Sequence, residues 1–319
     1  MVSSFNIISA STDIKPPTQP LSGPGGSNYS HTKVLSYTYG EGAKQYWIFE
    51  PGSPKPNSAP VIVFNHGWTA MNPIFYQAWI DHLVKKGNIV IYPRYQTSIF
   101  TNSDEFTPNV IWSVKDAFNR LKSSEHVKPE VDNFALVGHS VGGLISINMA
   151  ALADNEGLPI PKAVFCVEPG KSRSENDTMG PELENLSNIS PNTLLLTLAG
   201  DRDDIVGSGD AEKIIQETKN IPAENKNYII MVSDEHGQPP LIADHIAPLA
   251  INFNIANQKL PILVNALDYY GTWKLFDGLY EAAFYGENQE YALGNTTQQR
   301  FMGIWSDGTP VKQLLIQDI

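Results

Sequence analysis

Only one cysteine, Cys166, occurs in the 319 residues, so an intramolecular disulfide is impossible and disulfide-stapled scaffolds are excluded. Cys166 sits in the apolar run AVFCV at 163–167, the setting of a buried, inert thiol rather than a nucleophile. No run of 18 apolar residues is present, so no membrane-spanning helix is expected. The opening MVSSFNIISASTDIKPP lacks the basic start and long apolar stretch of a secretory leader, and a cytoplasmic location is the expectation. Basic residues are scarce: 22 Lys and Arg stand against 34 Asp and Glu, a formal net charge of -12 with no Lys/Arg cluster. That balance argues against nucleic acid or an anionic membrane as a partner. No fixed-period repeat is visible, which excludes solenoids and propellers.

What is present fits one large α/β unit. Hydrophobic content of 41% and charged content of 18% are globular values. Short apolar runs at 61–64, 88–92, 134–137, 163–167, 193–198 and 228–232 read as buried strands. Helical stretches lie between them. One starts at Asn72-Pro73 and carries Phe75, Trp79, Ile80 and Leu83; another spans 109–121. This alternation predicts a mostly parallel, twisted sheet with right-handed crossovers and helices on both faces. Residues 1–32, rich in Ser, Pro, Gly and Thr, read as an extended arm, with strands following at 33–39 and 45–49. Residues 33–256 form the predicted core, with a last helix at 246–256. Residues 257–319 form an extension packed on that core, helical over 262–284 and unassigned beyond 285.

The stretch NFALVGHSVGG, 133–143, carries the chemistry. An apolar strand leads into Gly138-His139-Ser140-Val141-Gly142, and LISINMAALA continues as a helix. Strand, sharp turn and helix around a central Ser are the context of a nucleophile elbow, in which Ser140 is thrust out at the strand's end. A serine nucleophile needs a base, and the base needs an orienting acid. The loop after 193–198 offers Asp201, Asp203 and Asp204. Asp203 is selected because Ile205-Val206 behind it can pin the loop. Asp201, Asp203 and Glu212 also match three positions of a calcium-binding loop, but Ile205 and Val206 stand where a ligand and a glycine are required. The base comes from the loop after 228–232. His236, four residues past Val232, is selected by reach, with His245 as the alternative. His31, His82 and His126 are expected in solvent, and His66 and His139 in support of the site. The backbone amides of Val141, at the helix start, and Trp68, in HGWTA, are the expected oxyanion donors.

The elbow, the acid loop and a late His in this order resemble the α/β-hydrolase fold over roughly residues 60–256. Within it, His66-Gly67-Trp68-Thr69-Ala70 is similar to the oxyanion loop of the cutinase-like polyester hydrolases. With the chlorophyllase and dienelactone hydrolase groups, these form the neighbourhood of the chain. The resemblance implies Ser140 as nucleophile and Asp203 as acid in a serine esterase of carboxylesterase or lipase type, working through an acyl-enzyme. The polyester hydrolases carry His-Phe-Ala-Pro at the catalytic His. The nearest string here, His245-Ile246-Ala247-Pro248, points to His245 where spacing points to His236. Their late disulfide cannot form with one cysteine, and residues beyond 256 have no counterpart. No metal, nucleotide or other cofactor is expected. The expected substrate is a small-molecule ester with an apolar acyl or aryl part, met by some of Trp68, Tyr95, Phe100, Trp112, Tyr269, Tyr270 and Trp273. An amidase or peptidase would share every motif, and a non-catalytic binding protein could be built on the same scaffold.

Overall fold

Val61, Ile62, Val63 and Phe64 are wholly withdrawn from solvent, as the unbroken apolar run requires of a strand covered on both faces. They lie in the middle of a nine-stranded sheet in a computed structural model that describes residues 13–171, 179–255 and 258–318, without the side chains of 254–262. The first part of the arm, part of the loop after 168 and Ala256 lie outside the described residues.

The strands are β1 (Lys33–Tyr39), β2 (Tyr46–Ser53), β3 (Ser58–Asn65), β4 (Ile89–Pro93), β5 (Lys128–His139), β6 (Ala163–Val167), β7 (Leu194–Gly200) and β8 (Lys226–Met231). Further along the chain, β9 (Ile251–Ile255) and β10 (Gln258–Ile262) form a separate antiparallel hairpin, and β11 (Leu315–Gln317) is short. The large sheet runs β1-β2-β4-β3-β5-β6-β7-β8-β11. It is parallel from β4 through β8, with antiparallel β1–β2 at one edge and β11 at the other.

Helices cover both faces. α1 (Gln77–Lys85) and α5 (Trp273–Tyr285) supply Trp79, Leu83, Phe276 and Leu279 to the core on one side. α2 (Phe106–Arg120), α3 (Val141–Glu156) and α4 (Gly209–Glu217) supply Val110, Val114, Leu144, Ile145 and Ile214 on the other. α6 (Thr297–Arg300) is a single turn. Asn72 accepts a hydrogen bond from the Ile74 amide (3.0 Å), with Pro73 opening the turn that leads into α1, as the sequence predicts.

Two expectations are corrected and one unassigned stretch is placed. Residues 246–256 do not make a helix: the Ala250 amide donates to the Phe75 carbonyl and the Ala78 amide to the Ala250 carbonyl, both at 2.9 Å. The backbone groups that a helix would use are thus spent on the neighbouring segment, and β9 follows. The region beyond 285 adds an edge strand, β11, to the sheet. His82 and His126 are buried against Asp277 and Glu50, at 2.8 and 2.6 Å, not solvated.

Candidate active site

Strands β5, β6, β7 and β8 end along one edge of the sheet, and each hands over one chemistry-bearing residue: Ser140, Glu168, Asp203 and, through a longer loop, His245. Ser140 has φ 57° and ψ -127°, a conformation that a non-glycine residue holds only when its surroundings impose it. Gly138 and Gly142 permit this turn. A Cβ on Gly138 would strike the Gly142 carbonyl, and one on Gly142 the carbonyls of Asn65 and His66. The Ser140 amide is tied to the Val167 carbonyl at 2.9 Å, so the elbow is anchored to β6.

Ser140 Oγ lies 2.9 Å from His245 Nε2, and His245 Nδ1 lies 2.8 Å from Asp203 Oδ2. The other Asp203 oxygen accepts the Ile205 and Val206 amides at 2.9 and 3.0 Å, the pinning that singles this residue out among its neighbours. Burial works to raise the Asp203 pKa, but the bonds from His245 and from these two amides outweigh it and hold the carboxyl below its ordinary value. Asp201 faces away and accepts from the Ser233 amide and hydroxyl.

His236 is not brought to Ser140. Its Nε2 meets Asp307 at 2.8 Å and its ring packs edge-on against Trp305. Reach from β8 misleads because the loop doubles back: Asp234 and Leu241 pair as an antiparallel bridge, which returns the later His245 over the sheet edge. The fold-back is held by the Asp234 carboxylate, which accepts from the His236 amide (3.0 Å), the Trp305 indole (3.1 Å) and the Lys312 amide (2.9 Å).

Beside the triad-like set lies a cavity of about 410 Å³. Trp68, Phe75, Val141, Met179, Val206 and Leu249 supply much of its apolar wall. Of the aromatic residues proposed for a cleft, only Trp68 lines it. Tyr95 is buried with its hydroxyl on the His66 carbonyl, Phe100 is exposed, and Trp112 borders a separate groove. Trp273 is buried in the core at the start of α5, and Tyr269 and Tyr270 pack half-buried against it. Phe75 and Tyr76 take the expected place, from the turn that opens α1. The loop bearing Trp68 is fixed on both sides: the Gly67 amide donates to the Tyr76 hydroxyl (3.0 Å) and the Thr69 amide to Gln96 (2.7 Å). Tyr92 and Tyr95 bond the Ala70 and His66 carbonyls.

Sequence reasoning passed over Glu168. It is fully buried, neither carboxyl oxygen has a hydrogen-bond partner among the described residues, and Oε2 lies 3.5 Å from His139 Nε2 and 3.7 Å from His245 Nδ1. Burial, then the charges of Asp203 and Asp244, push its pKa well above the ordinary value. The signal was its place directly after the β6 run, equivalent to Ser140 after β5. His139, Glu168 and His245 are also the cluster among the described residues whose ligand atoms lie close enough to share a metal, but His139 and His245 direct the nitrogens concerned at a carbonyl and at Asp203. No helix among the described residues is long and apolar enough to cross a membrane.

Among solved structures, a fungal esterase of Rhizomucor miehei superposes with a TM-score of 0.51 at 13% identity, over 64% of this chain and 77% of its own. A thermostable esterase of Pseudomonas putida ECU1011 gives 0.48 at 14% identity, over 64% and 75%. The likeness to the first is one of fold, and with the sheet order it establishes the α/β-hydrolase fold. No curated protein sequence matches the chain. A family model described as chlorophyllase matches residues 28–235, a stretch that takes in Ser140 and Asp203 and stops short of His245, and the chain belongs to the chlorophyllase family, with the fold of ester hydrolases.

Proposed function

We propose that the protein is a serine hydrolase that cleaves carboxylic esters through an acyl-enzyme, with Ser140 as nucleophile, His245 as general base and acid, and Asp203 as the residue that orients it. The observation that carries this is the continuous contact Ser140 Oγ–His245–Asp203 at 2.9 and 2.8 Å, at the mouth of an apolar cavity. His245 Nε2 takes the Ser140 proton as Oγ attacks the ester carbonyl carbon. Asp203, ionised and bonded to Nδ1–H, fixes the tautomer and stabilises the imidazolium that forms. The tetrahedral oxyanion is met by the amides of Val141, at the positive end of α3, and of Trp68, whose two neighbours are anchored. His245 then protonates the leaving alcohol, the C–O bond breaks, and water repeats the cycle to release the acid and restore Ser140. The apolar wall favours an uncharged acyl or aryl group.

The test is turnover of p-nitrophenyl esters of graded acyl length beside matched anilides, together with labelling by a fluorophosphonate. Wild-type protein is expected to hydrolyse the esters and to be labelled at Ser140, and Ser140→Ala to do neither. Undiminished turnover by Ser140→Ala would remove this reading, and a marked preference for the anilides would replace ester by amide.

A further inference from the structure

The hydrogen bonds around His139 leave no freedom in where the protons go. The Gly67 amide has one proton and gives it to the Tyr76 oxygen at 3.0 Å. Tyr76 lies 2.7 Å from His139 Nδ1, and His139 Nε2 lies 3.0 Å from the His245 carbonyl oxygen. A carbonyl only accepts, so Nε2 carries the proton. In a neutral ring Nδ1 then accepts, and it accepts from the tyrosine hydroxyl. The reverse assignment would leave the Tyr76 hydroxyl proton without an acceptor and the His245 carbonyl without this donor. All the groups are buried, where such losses are costly. One directed chain therefore runs Gly67 N–H → Tyr76 O–H → His139 Nδ1, Nε2–H → His245 O.

Its two ends are the parts of the site that must be held apart at a fixed distance. Gly67 precedes Trp68 in the loop assigned to the oxyanion, and the His245 backbone carries the imidazole that faces Ser140. We infer that Tyr76 and His139 are positioning residues, forming a strut that sets the oxyanion loop and His245 in register with each other across Ser140. The inference rests on the serine hydrolase reading above. Two further facts agree with it. Gly67 leaves little room for a side chain: a Cβ there would stand 3.1 Å from His139 Nδ1, 3.2 Å from the Tyr76 oxygen and 3.3 Å from Ser140 Cβ, so strut and nucleophile pack at one point. Burial, with His245 beside it, also holds the His139 imidazole well below its usual pKa, which keeps the ring in the neutral form that the chain needs. Glu168, at 3.5 Å from Nε2, is farther than the carbonyl and does not displace it.

Four single variants and one double variant on the same ester series test the strut. Tyr76→Phe keeps the ring and removes both bonds. His139→Gln carries an amide out to the Nε2 position and can keep the tie to His245. His139→Asn reaches only the Nδ1 position, and His139→Leu keeps neither bond. Tyr76→Phe and His139→Leu are expected to lower kcat about 10- to 100-fold with KM within about threefold, because misplacement of reacting groups by a fraction of an ångström to an ångström is felt in the transition state. His139→Gln and His139→Asn each keep one of the two ties and so interrupt the chain as Tyr76→Phe does; both are expected to lose kcat to a similar extent, and the Tyr76→Phe/His139→Leu double variant to be no worse than the more damaging single one. Thermal melts establish the folded fraction. Should Tyr76→Phe not fold, the kcat of folded His139→Gln and His139→Asn carries the decision. The strut is overturned if folded Tyr76→Phe, or a folded Gln or Asn variant at 139, keeps wild-type kcat. Loss of the serine hydrolase reading is separately visible, because Ser140→Ala would then turn over like wild type whatever the strut variants do.

Discussion

Two carboxyl groups face His245 Nδ1, one at 2.8 Å and one at 3.7 Å, and their surroundings shift their pKa values in opposite directions. Asp203 accepts two amides and the imidazole, so it stays ionised. Glu168 accepts nothing among the described residues and is buried, which favours its protonated form. Asp203→Asn keeps the amide bonds but favours the wrong imidazole tautomer, and kcat on p-nitrophenyl esters is expected to fall by roughly 10³–10⁴. For Glu168 the sign runs the other way. A carboxyl whose folded pKa is raised contributes stability that is complete below its unfolded value near 4.5 and is lost as pH rises towards the folded value. Glu168→Gln mimics the protonated form at every pH. Its melting temperature relative to wild type should therefore improve steadily between pH 5 and pH 8. A difference that stays flat across that range would show that Glu168 does not titrate in this way.

At the scale of elements, what decides legibility is how local the cause is. The elbow between β5 and α3 is readable because strand, turn and helix are contiguous and Gly138 is demanded by the Gly142 carbonyl four residues on, and Asp203 because the two amides that pin it follow within three residues. The loop carrying His245 is not readable from its own residues. Its path is set by Asp234 reaching Trp305 and Lys312, 71 and 78 residues downstream. The failed helix at 246–256 has the same origin, since its backbone groups are claimed by Phe75 and Ala78. Neither partnership leaves a periodicity in the sequence, and the three residues of β11 are too few to show one. The loop's anchorage gives a prediction at this scale. Asp234→Ala strips three donors of a buried acceptor and should cost about 3 kcal/mol in urea unfolding. It should also lower kcat, because His245 rides on the same loop. His236→Ala breaks a partly exposed pair with Asp307 and an edge contact with Trp305 and should change both far less. Loss of activity in His236→Ala with retention in Asp234→Ala would reverse the assignment of the two histidines.

Across the whole molecule, the described arm is not an idle tail but a tie between the ends of the chain. The Ile14 carbonyl accepts the Gln238 amide, the Lys15 carbonyl the Ser306 amide, and the Pro17 carbonyl the Tyr269 hydroxyl. The tightest knot is Asp277 on α5, whose Oδ2 meets the Gly25 amide and His82 Nε2, both at 2.8 Å, with Lys86 at 3.9 Å. His82 in turn meets the Tyr29 hydroxyl at 3.1 Å, so arm, α1 and α5 converge on one buried carboxylate. Burial alone would raise the Asp277 pKa, but His82, Lys86 and the Gly25 amide hold it below its ordinary value. A depressed carboxyl contributes stability that is present above its unfolded value, near 3.8, and is lost as pH falls through the folded one. Asp277→Ala leaves these donors facing an uncompensated gap and should cost about 3–5 kcal/mol at pH 7 by urea unfolding. The deficit should narrow below about pH 4, where wild type protonates the same carboxyl. Because the knot lies on the α1–α5 face and outside the cavity wall, fluorophosphonate labelling of Ser140 per folded molecule should be unchanged. A deficit that does not shrink in acid would mean that Asp277 holds the arm by packing, not by its charge.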